Sequence, residues 1–301
     1  MIVRTQTDFA TAPLLQSHLT PAHIQSVSLV VRDLDRVASF YRDCIGLDVI
    51  ASSGGSVVLG KDAIALLFLT EDHAAKPQPE AMPGLFHTAF LLPTRKDLGL
   101  WLRHARATGV PLEGLSDHLV SEAAYLSDPE GNGIEIYIDR PRAEWQFDGG
   151  KLRMATLRMD VDAVLAASAD AENADPFSMS SGTRIGHVHL CVPDLAQAGT
   201  LLTGVLGFEK MCAYPQADFY ASGGYHHHIA VNTWRTGTIA RRDAGYAGLS
   251  RVTLAATTAV EHRAMSERWL EQQGGHQTDQ ALLLNTASGF EFELAALQSS
   301  Q

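Results

Sequence analysis

Glu135 stands between Ile134 and Ile136 in an alternating run, where a carboxylate without a partner is expensive to bury. In a run of period two, Glu135 shares a face with Tyr137, and His187 shares one with His189. His87 lies in another apolar run, after Leu85-Phe86 and before Thr88-Ala89-Phe90. Residues 226–228 are three consecutive histidines, and strand alternation there sets His227 on the face opposite its neighbours. Imidazoles and carboxylates in such settings do two kinds of chemistry: they hold divalent metals, and they move protons near neutral pH. The chain has thirteen histidines, too many for all to be ligands, and an arbitrary histidine is more often a surface or satisfied core residue. Cys44, Cys191 and Cys212 are an odd, scattered set without CxxC spacing. They read as small buried hydrophobes and offer neither a disulfide framework nor a zinc ribbon.

The elements that must position these groups show themselves as repeats. SVSLVVRDLDRVASFYRDCIGLDVI from Ser26 parallels HVHLCVPDLAQAGTLLTGVLGFEKM from His187: a β-branched alternating run, V-x-D-L, a helical stretch and a glycine. Asp33 and Asp194 sit at N-cap positions, and Gly46 and Gly207 at helix stops. Val37, Phe40, Tyr41 and Cys44 form one helical stripe. A weaker pair is HTAFLLPTRKDLGLWLRHARATGV from His87 and RVTLAATTAVEHRAMSERWLEQQGG from Arg251. Each half closes on a turn and strand, DPEGNGIEIYI from Asp128 and TASGFEFELAA from Thr286. Four strand–helix–strands modules follow, near 23–80, 84–140, 184–240 and 248–297. The expected organisation is a loosely attached extension over 1–20, a first two-module domain over 21–140, a connector over 141–183 with one short helix around VDAVLAA, and a second domain over 184–297.

Composition excludes several functions. The formal net charge of 23 − 34 = −11 would repel nucleic acid and anionic membrane. No stretch approaches 18 consecutive apolar residues, and the first 22 residues lack a basic-then-apolar leader. With unpaired cysteines, these features lead us to expect a cytoplasmic protein, without nucleic-acid or membrane partners.

His118, Tyr125, the Asp128-Pro129-Glu130-Gly131 turn and Glu135 follow one another in a recognisable order. In that order the chain resembles the vicinal oxygen chelate superfamily, which joins glyoxalases, bleomycin-resistance proteins and dioxygenases, and within it the bacterial extradiol catechol 2,3-dioxygenases. Asp139-Arg140-Pro141 and YHHHIAVNTW from Tyr225 to Trp234 carry the same resemblance, which spans essentially all of the chain after residue 20. Ser116 and Ala124 depart from the usual pattern. The resemblance implies an α+β fold of four βαβββ-type modules in two glyoxalase-like halves, with strands curled around a metal cleft. It also implies a metal held by one His on a module's first strand, a second His on the next module's first strand, and a Glu on that module's last strand.

Carried over by position, neither half has a full set. Module one offers Ser26 where His is wanted, while module two has His87 and Glu135. Module three has His187, but module four has Arg251, with Glu293 in place and Leu283 at the Tyr position. If module two instead packs with module three, His87, Glu135 and His187 complete one two-His-one-carboxylate set. His118, Tyr125 and the acid–base candidate His227 then join it, with His228 as a rival. His189 is an alternate or supporting residue. Ser26, Arg251 and Glu293 would form a degenerate second cleft, where the Arg251 cation opposes metal.

The resemblance thus implies Fe(II), with Mn(II) or another divalent metal as alternatives. It implies a small aromatic diol and O2 as substrates, and permits a homo-oligomer. His227 would take a proton from the diol, with His118 and Tyr125 hydrogen-bonding its oxygens. Two other expectations stand beside it: a metal-dependent glyoxalase-like isomerase or lyase, with more carboxylate around the metal, and a non-enzymatic binder in which the three ligands do not converge.

Overall fold

The computed structural model describes residues 17–171, 176–237, 239–272, 275–278 and 281–297. Four modules follow in order, each a strand, a helix and three further strands. The first comprises β1 (Ala22–Val31), α1 (Leu34–Phe40), β2 (Asp48–Ser53), β3 (Ser56–Lys61) and β4 (Ile64–Glu71). The second comprises β5 (Gly84–Leu91), α2 (Arg95–Thr108), β6 (Gly114–Asp117), β7 (Ser121–Ser127) and β8 (Gly133–Asp139). A connector holds β9 (Phe147–Asp148), β10 (Lys151–Leu152), β11 (Leu157–Arg158) and α3 (Val161–Ala166). The third module is β12 (Arg184–Cys191), α4 (Leu195–Thr200), β13 (Glu209–Tyr214), β14 (Ala217–Ala221) and β15 (Ile229–Asn232). The fourth is β16 (Gly248–Ala256), α5 (Ala259–Leu270), β17 (Gly275–Gln277), β18 (Ala281–Asn285) and β19 (Glu291–Ala295).

The local chemistry of the helix ends explains why the repeat folds as it does. The Asp33 carboxylate accepts from the Arg36 amide, and Asp194 accepts from Ala196 and Gln197, satisfying first-turn donors that α1 and α4 cannot pair themselves. After α1 the chain makes a wide turn over Tyr41–Ile45 and leaves it at Gly46, whose φ of 93° suits glycine.

Two sheets result, in an α+β architecture. Strand order in the first is β17-β18-β19-β16-β1-β4-β3-β2, and in the second β11-β6-β7-β8-β5-β12-β15-β14-β13. Module one therefore pairs with module four through antiparallel β1 and β16, and module two with module three through antiparallel β5 and β12. Sequence neighbours 21–140 divide between the two sheets, as do 184–297. One main core serves both, gathering Leu29 of β1, Trp101 of α2, Ile136 of β8, Val188 of β12 and Trp269 of α5. In β8, Ile134, Ile136 and Ile138 enter that core, leaving Glu135, Tyr137 and Asp139 on the opposite face.

The connector is more than a linker, contrary to the sequence reading. β11 pairs with β6 and so extends the second sheet by one strand. Of the extension over 1–20, residues 1–16 lie outside the described residues. Ser17 and Thr20 are buried rather than loosely attached, with the Thr20 hydroxyl 3.0 Å from His228 Nε2.

One glycine is required by close approach. Gly186 is the extra residue of a bulge in β12, between Ile185 opposite Phe90 and His187 opposite Ala89. A Cβ there would lie 1.7 Å from the Tyr137 hydroxyl oxygen. Gly186→Ala is expected to lower the free energy of unfolding by about 1–3 kcal/mol, the usual cost of overpacking. Denaturant titration checks this, and an unchanged midpoint would show that Tyr137 has room to move.

Candidate metal centre

The register of the second sheet builds the site. Tyr125 of β7 lies opposite Glu135 of β8, Glu135 opposite Ala89 of β5, and Ala89 opposite His187 of β12. These four residues form a row across four strands. His87, two positions from Ala89, shares its face and pairs with His189. Ala89 is the small member of the row, and the side chains of its neighbours Glu135 and His187 meet across it at 3.1 Å.

One ligand atom from each of His87, Glu135 and His187 lies within 4.8 Å of the other two, and all three residues are buried. Glu135 Oε2 is 3.0 Å from His87 Nε2 and 3.1 Å from His187 Nε2. Despite that closeness His87 Nε2 has no hydrogen bond of acceptable direction, so the nitrogen is aimed beside the oxygen rather than at it. His187 Nε2, by contrast, is hydrogen-bonded to that oxygen, and two imidazole nitrogens converging with one buried carboxylate oxygen form a donor set that suits a divalent metal. Burial pushes the His187 pKa down to about 4, which leaves the imidazole neutral and able to ligate at neutral pH. Burial opposes the charge on Glu135 as well, but the imidazoles of His187 and His87 outweigh it and hold the carboxyl well below its ordinary range.

The remaining predicted residues surround a cavity of about 370 Å³. His118 sits where β6 turns into β7, half-buried rather than exposed. Its Nδ1 is 2.7 Å from the Ala155 carbonyl and its Nε2 is 2.7 Å from the Tyr125 hydroxyl. A carbonyl only accepts, so the proton is on Nδ1, and Tyr125 donates to Nε2. Burial, and then the Glu135 charge, raise the Tyr125 pKa well above 10, keeping the phenol protonated. His227 borders the cavity, with its ring centroid 4.1 Å from that of His187.

The strand alternation expected for 226–228 is not present, because these residues form bends ahead of β15. His226 and His227 therefore turn toward each other, their Nδ1 atoms 2.7 Å apart. His228 turns away and lies 3.2 Å from the Ser17 carbonyl. His189 stays outside the ligand cluster, since its Nε2 accepts from the Asn232 amide at 2.9 Å. Sequence reasoning gave no role to the aromatic wall of Phe86, Phe219, Tyr214 and Trp234. Apolar residues on strands read as core, and only Trp234, within the YHHHIAVNTW stretch, carried a signal.

The equivalent positions of the first sheet follow the same register. Ser26 lies opposite Thr253, and Thr253 opposite Glu293, as His187, Ala89 and Glu135 do in the second sheet. Arg251 takes the place of His87 and binds Glu293 at 2.5 Å and Glu291 at 3.0 Å. A guanidinium occupies the position that a metal would need.

The buried histidines give the metal-free protein a pH dependence. Burial lowers His187 to about 4 and His228 to about 3, while unfolded histidine titrates near 6.5. Between those values the unfolded chain binds more protons, so stability falls as pH falls through that window. Urea unfolding of metal-free protein is expected to show a lower midpoint near pH 5 than near pH 7.5. An equal or higher midpoint near pH 5 would contradict the neutral burial.

Fold and site together describe a paired βαβββ scaffold with a candidate metal cluster in its cleft, and comparison with known proteins agrees with the fold. The family model for the Glyoxalase/Bleomycin resistance protein/Dioxygenase superfamily matches residues 21–136. A Bacillus subtilis (strain 168) protein named Catechol-2,3-dioxygenase is 42% identical over 217 residues, covering 70% of this chain and 75% of that protein. A solved structure from Bacillus subtilis subsp. subtilis str. 168, provisionally described as a dioxygenase, has a TM-score of 0.62 at 14% identity, covering 92% of this chain and 85% of that one. Glyoxalase I from Zea mays has a TM-score of 0.55 at 14% identity, covering 93% and 94%; at such identities the two structures speak for the fold alone. The chain belongs to the glyoxalase/bleomycin resistance protein/dioxygenase superfamily. Among the described residues no helix is long and apolar enough to cross a membrane.

Proposed function

We propose that the protein is an Fe(II)-dependent extradiol dioxygenase that opens a catechol-type ring with O2. The observation that carries this reading is the convergence of His87, Glu135 and His187 at the floor of an aromatic-lined cavity. Fe(II) held by these three would supply open coordination positions for a chelating diol and dioxygen, and would acidify the diol hydroxyls. Iron is the metal that two imidazoles and one carboxylate suit best, with Mn(II) or another divalent metal as the alternative.

The chain's own groups complete the chemistry. Phe86, Phe219 and Trp234 line the cavity and offer apolar surface to a flat ring. His227, driven neutral chiefly by burial, takes the second diol proton as general base and returns it during ring opening. Tyr125, held by His118, orients the substrate oxygens on the other side of Glu135. The resemblance to a named catechol 2,3-dioxygenase supports this assignment. A glyoxalase-like isomerase would want more carboxylate than Glu135 alone provides, and a metal-free binder would have no use for three converging ligands.

The test is oxygen-electrode assay of anaerobically Fe(II)-reconstituted protein with catechol and simple substituted catechols, beside anaerobic assay of a glutathione hemithioacetal. Oxygen uptake with a yellow ring-opened product is expected. Turnover of the hemithioacetal without oxygen uptake would replace this reading with the isomerase.

A further inference from the structure

Two stretches singled out in the sequence, Asp139-Arg140-Pro141 and Tyr225 to Trp234, meet behind the cavity. Asp139 ends β8 on the same face as Glu135 and Tyr137. Its Oδ1 lies 2.8 Å from His226 Nε2, and its Oδ2 accepts from the Tyr225 hydroxyl at 2.9 Å. The Tyr137 hydroxyl, seated in the space that Gly186 leaves, is 2.9 Å from that of Tyr225. His226 is fully enclosed, with the Tyr225 ring 4.0 Å away and the Trp145 ring 5.4 Å away. Its remaining nitrogen, Nδ1, is 2.7 Å from His227 Nδ1.

Donor and acceptor counting gives this line a direction. A carboxylate accepts only, so the proton shared with Asp139 belongs to His226 Nε2. A neutral imidazole with its proton there has a bare Nδ1. The short contact to His227 then needs a donor on the other side, which places the His227 proton on Nδ1. The nitrogen left to face the cavity is Nε2, without a proton.

We propose that Asp139 and His226 are positioning residues that fix His227 as its Nδ1–H tautomer and present Nε2 to the substrate as a ready acceptor. This rests on the reading of His227 as the general base, and gives that role a cause: without the line behind it, His227 could carry its proton on either nitrogen. Trp145 and Tyr225 hold the ring of His226 so that the direction is kept. The connector residue Trp145 thereby takes part in the site, its indole N–H anchored on the Arg140 carbonyl at 2.9 Å.

The experiment is long-range ¹⁵N–¹H correlation NMR on histidine-¹⁵N-labelled, metal-free protein, assigned with a His227→Gln variant. The expected result is a single Nδ1–H tautomer for His227 in the unaltered protein. His226→Phe removes the acceptor and Asp139→Asn can donate where the carboxylate accepted, so each is expected to move His227 off that tautomer. His226→Asn, whose side-chain oxygen can accept in place of Nδ1, is expected to restore it. In the Fe(II)-loaded enzyme His226→Phe should lose roughly 10–100-fold in kcat, with KM and metal content unchanged and partial recovery in His226→Asn. An Nε2–H or mixed tautomer in the unaltered protein overturns the proposal, as does an Nδ1–H tautomer that persists in both His226→Phe and Asp139→Asn. Should the unaltered enzyme fail to consume oxygen with any catechol, the dioxygenase reading falls, while the NMR result still decides the tautomer.

Discussion

His187→Ala is expected to abolish stoichiometric metal binding and oxygen uptake together, whereas Arg251→Ala leaves both intact. His187 comes from module three, while His87 and Glu135 come from module two, so the result tests whether one site is built from both halves of the sequence. The sheet places His187 opposite Ala89, which also lies opposite Glu135, and the imidazole reaches Glu135 Oε2 at 3.1 Å. Removing it leaves two ligands, His87 and Glu135, and takes one partner from the buried carboxylate. The loss of metal affinity should exceed the roughly 10–100-fold seen when only an outer hydrogen-bond partner is removed. Arg251 holds the matching position in the other sheet, where it pairs with Glu291 and Glu293. Its removal frees those two carboxylates at a partly exposed site and touches nothing near the metal. Metal content by elemental analysis after desalting, beside oxygen-electrode rates, reads both effects. Retention of metal by His187→Ala would show that the cluster is not the binding site.

His227→Ala is the second large effect: a fall in kcat of about 10²–10⁴-fold, the range for loss of a general acid–base group, with metal content retained. Its ring packs against His187 and Phe219 and borders the cavity, outside the three-residue cluster. His228, its neighbour, is the contrast. That side chain bonds Ser17, Thr20 and Ser222, which ties residues 17–20 to the second sheet. His228→Ala should lower stability while leaving kcat of the folded enzyme unchanged. Equal kcat losses in the two variants, once matched for folded fraction, would deny His227 a chemical role.

Much of this architecture can be read from local chemistry. Asp33, Asp194 and Gly46 act at helix ends through contacts with residues a few positions away, so the repeat shows in the sequence. The pairing of module two with module three is a different case. Periodicity is silent on it, and only the count of available ligands, His87 and Glu135 in one module and His187 in the other, separates it from sequential pairing. The sheet order agrees with that count. What stayed hidden depends on contacts distant in the chain. His226 and His227 read as alternating strand residues, yet the bend before β15 turns their rings together. Ala155, which orients His118, lies in a connector whose strand β11 has only two residues and no alternation to detect. Phe86 and Phe219 look like core residues until the cavity beside them is seen.

Whether one cluster drawn from two modules supports ring cleavage by oxygen can be read isotopically. Anaerobically Fe(II)-loaded protein is mixed with catechol under ¹⁸O₂, and the product is analysed by mass spectrometry. The expectation is a ring-opened semialdehyde carrying two atoms of ¹⁸O when formed, one of them in the carboxylate and the other in the exchangeable aldehyde. Its yield should vanish in His87→Ala, Glu135→Gln and His187→Ala alike. An unlabelled product, or full labelled yield in any one of those three variants, would contradict it.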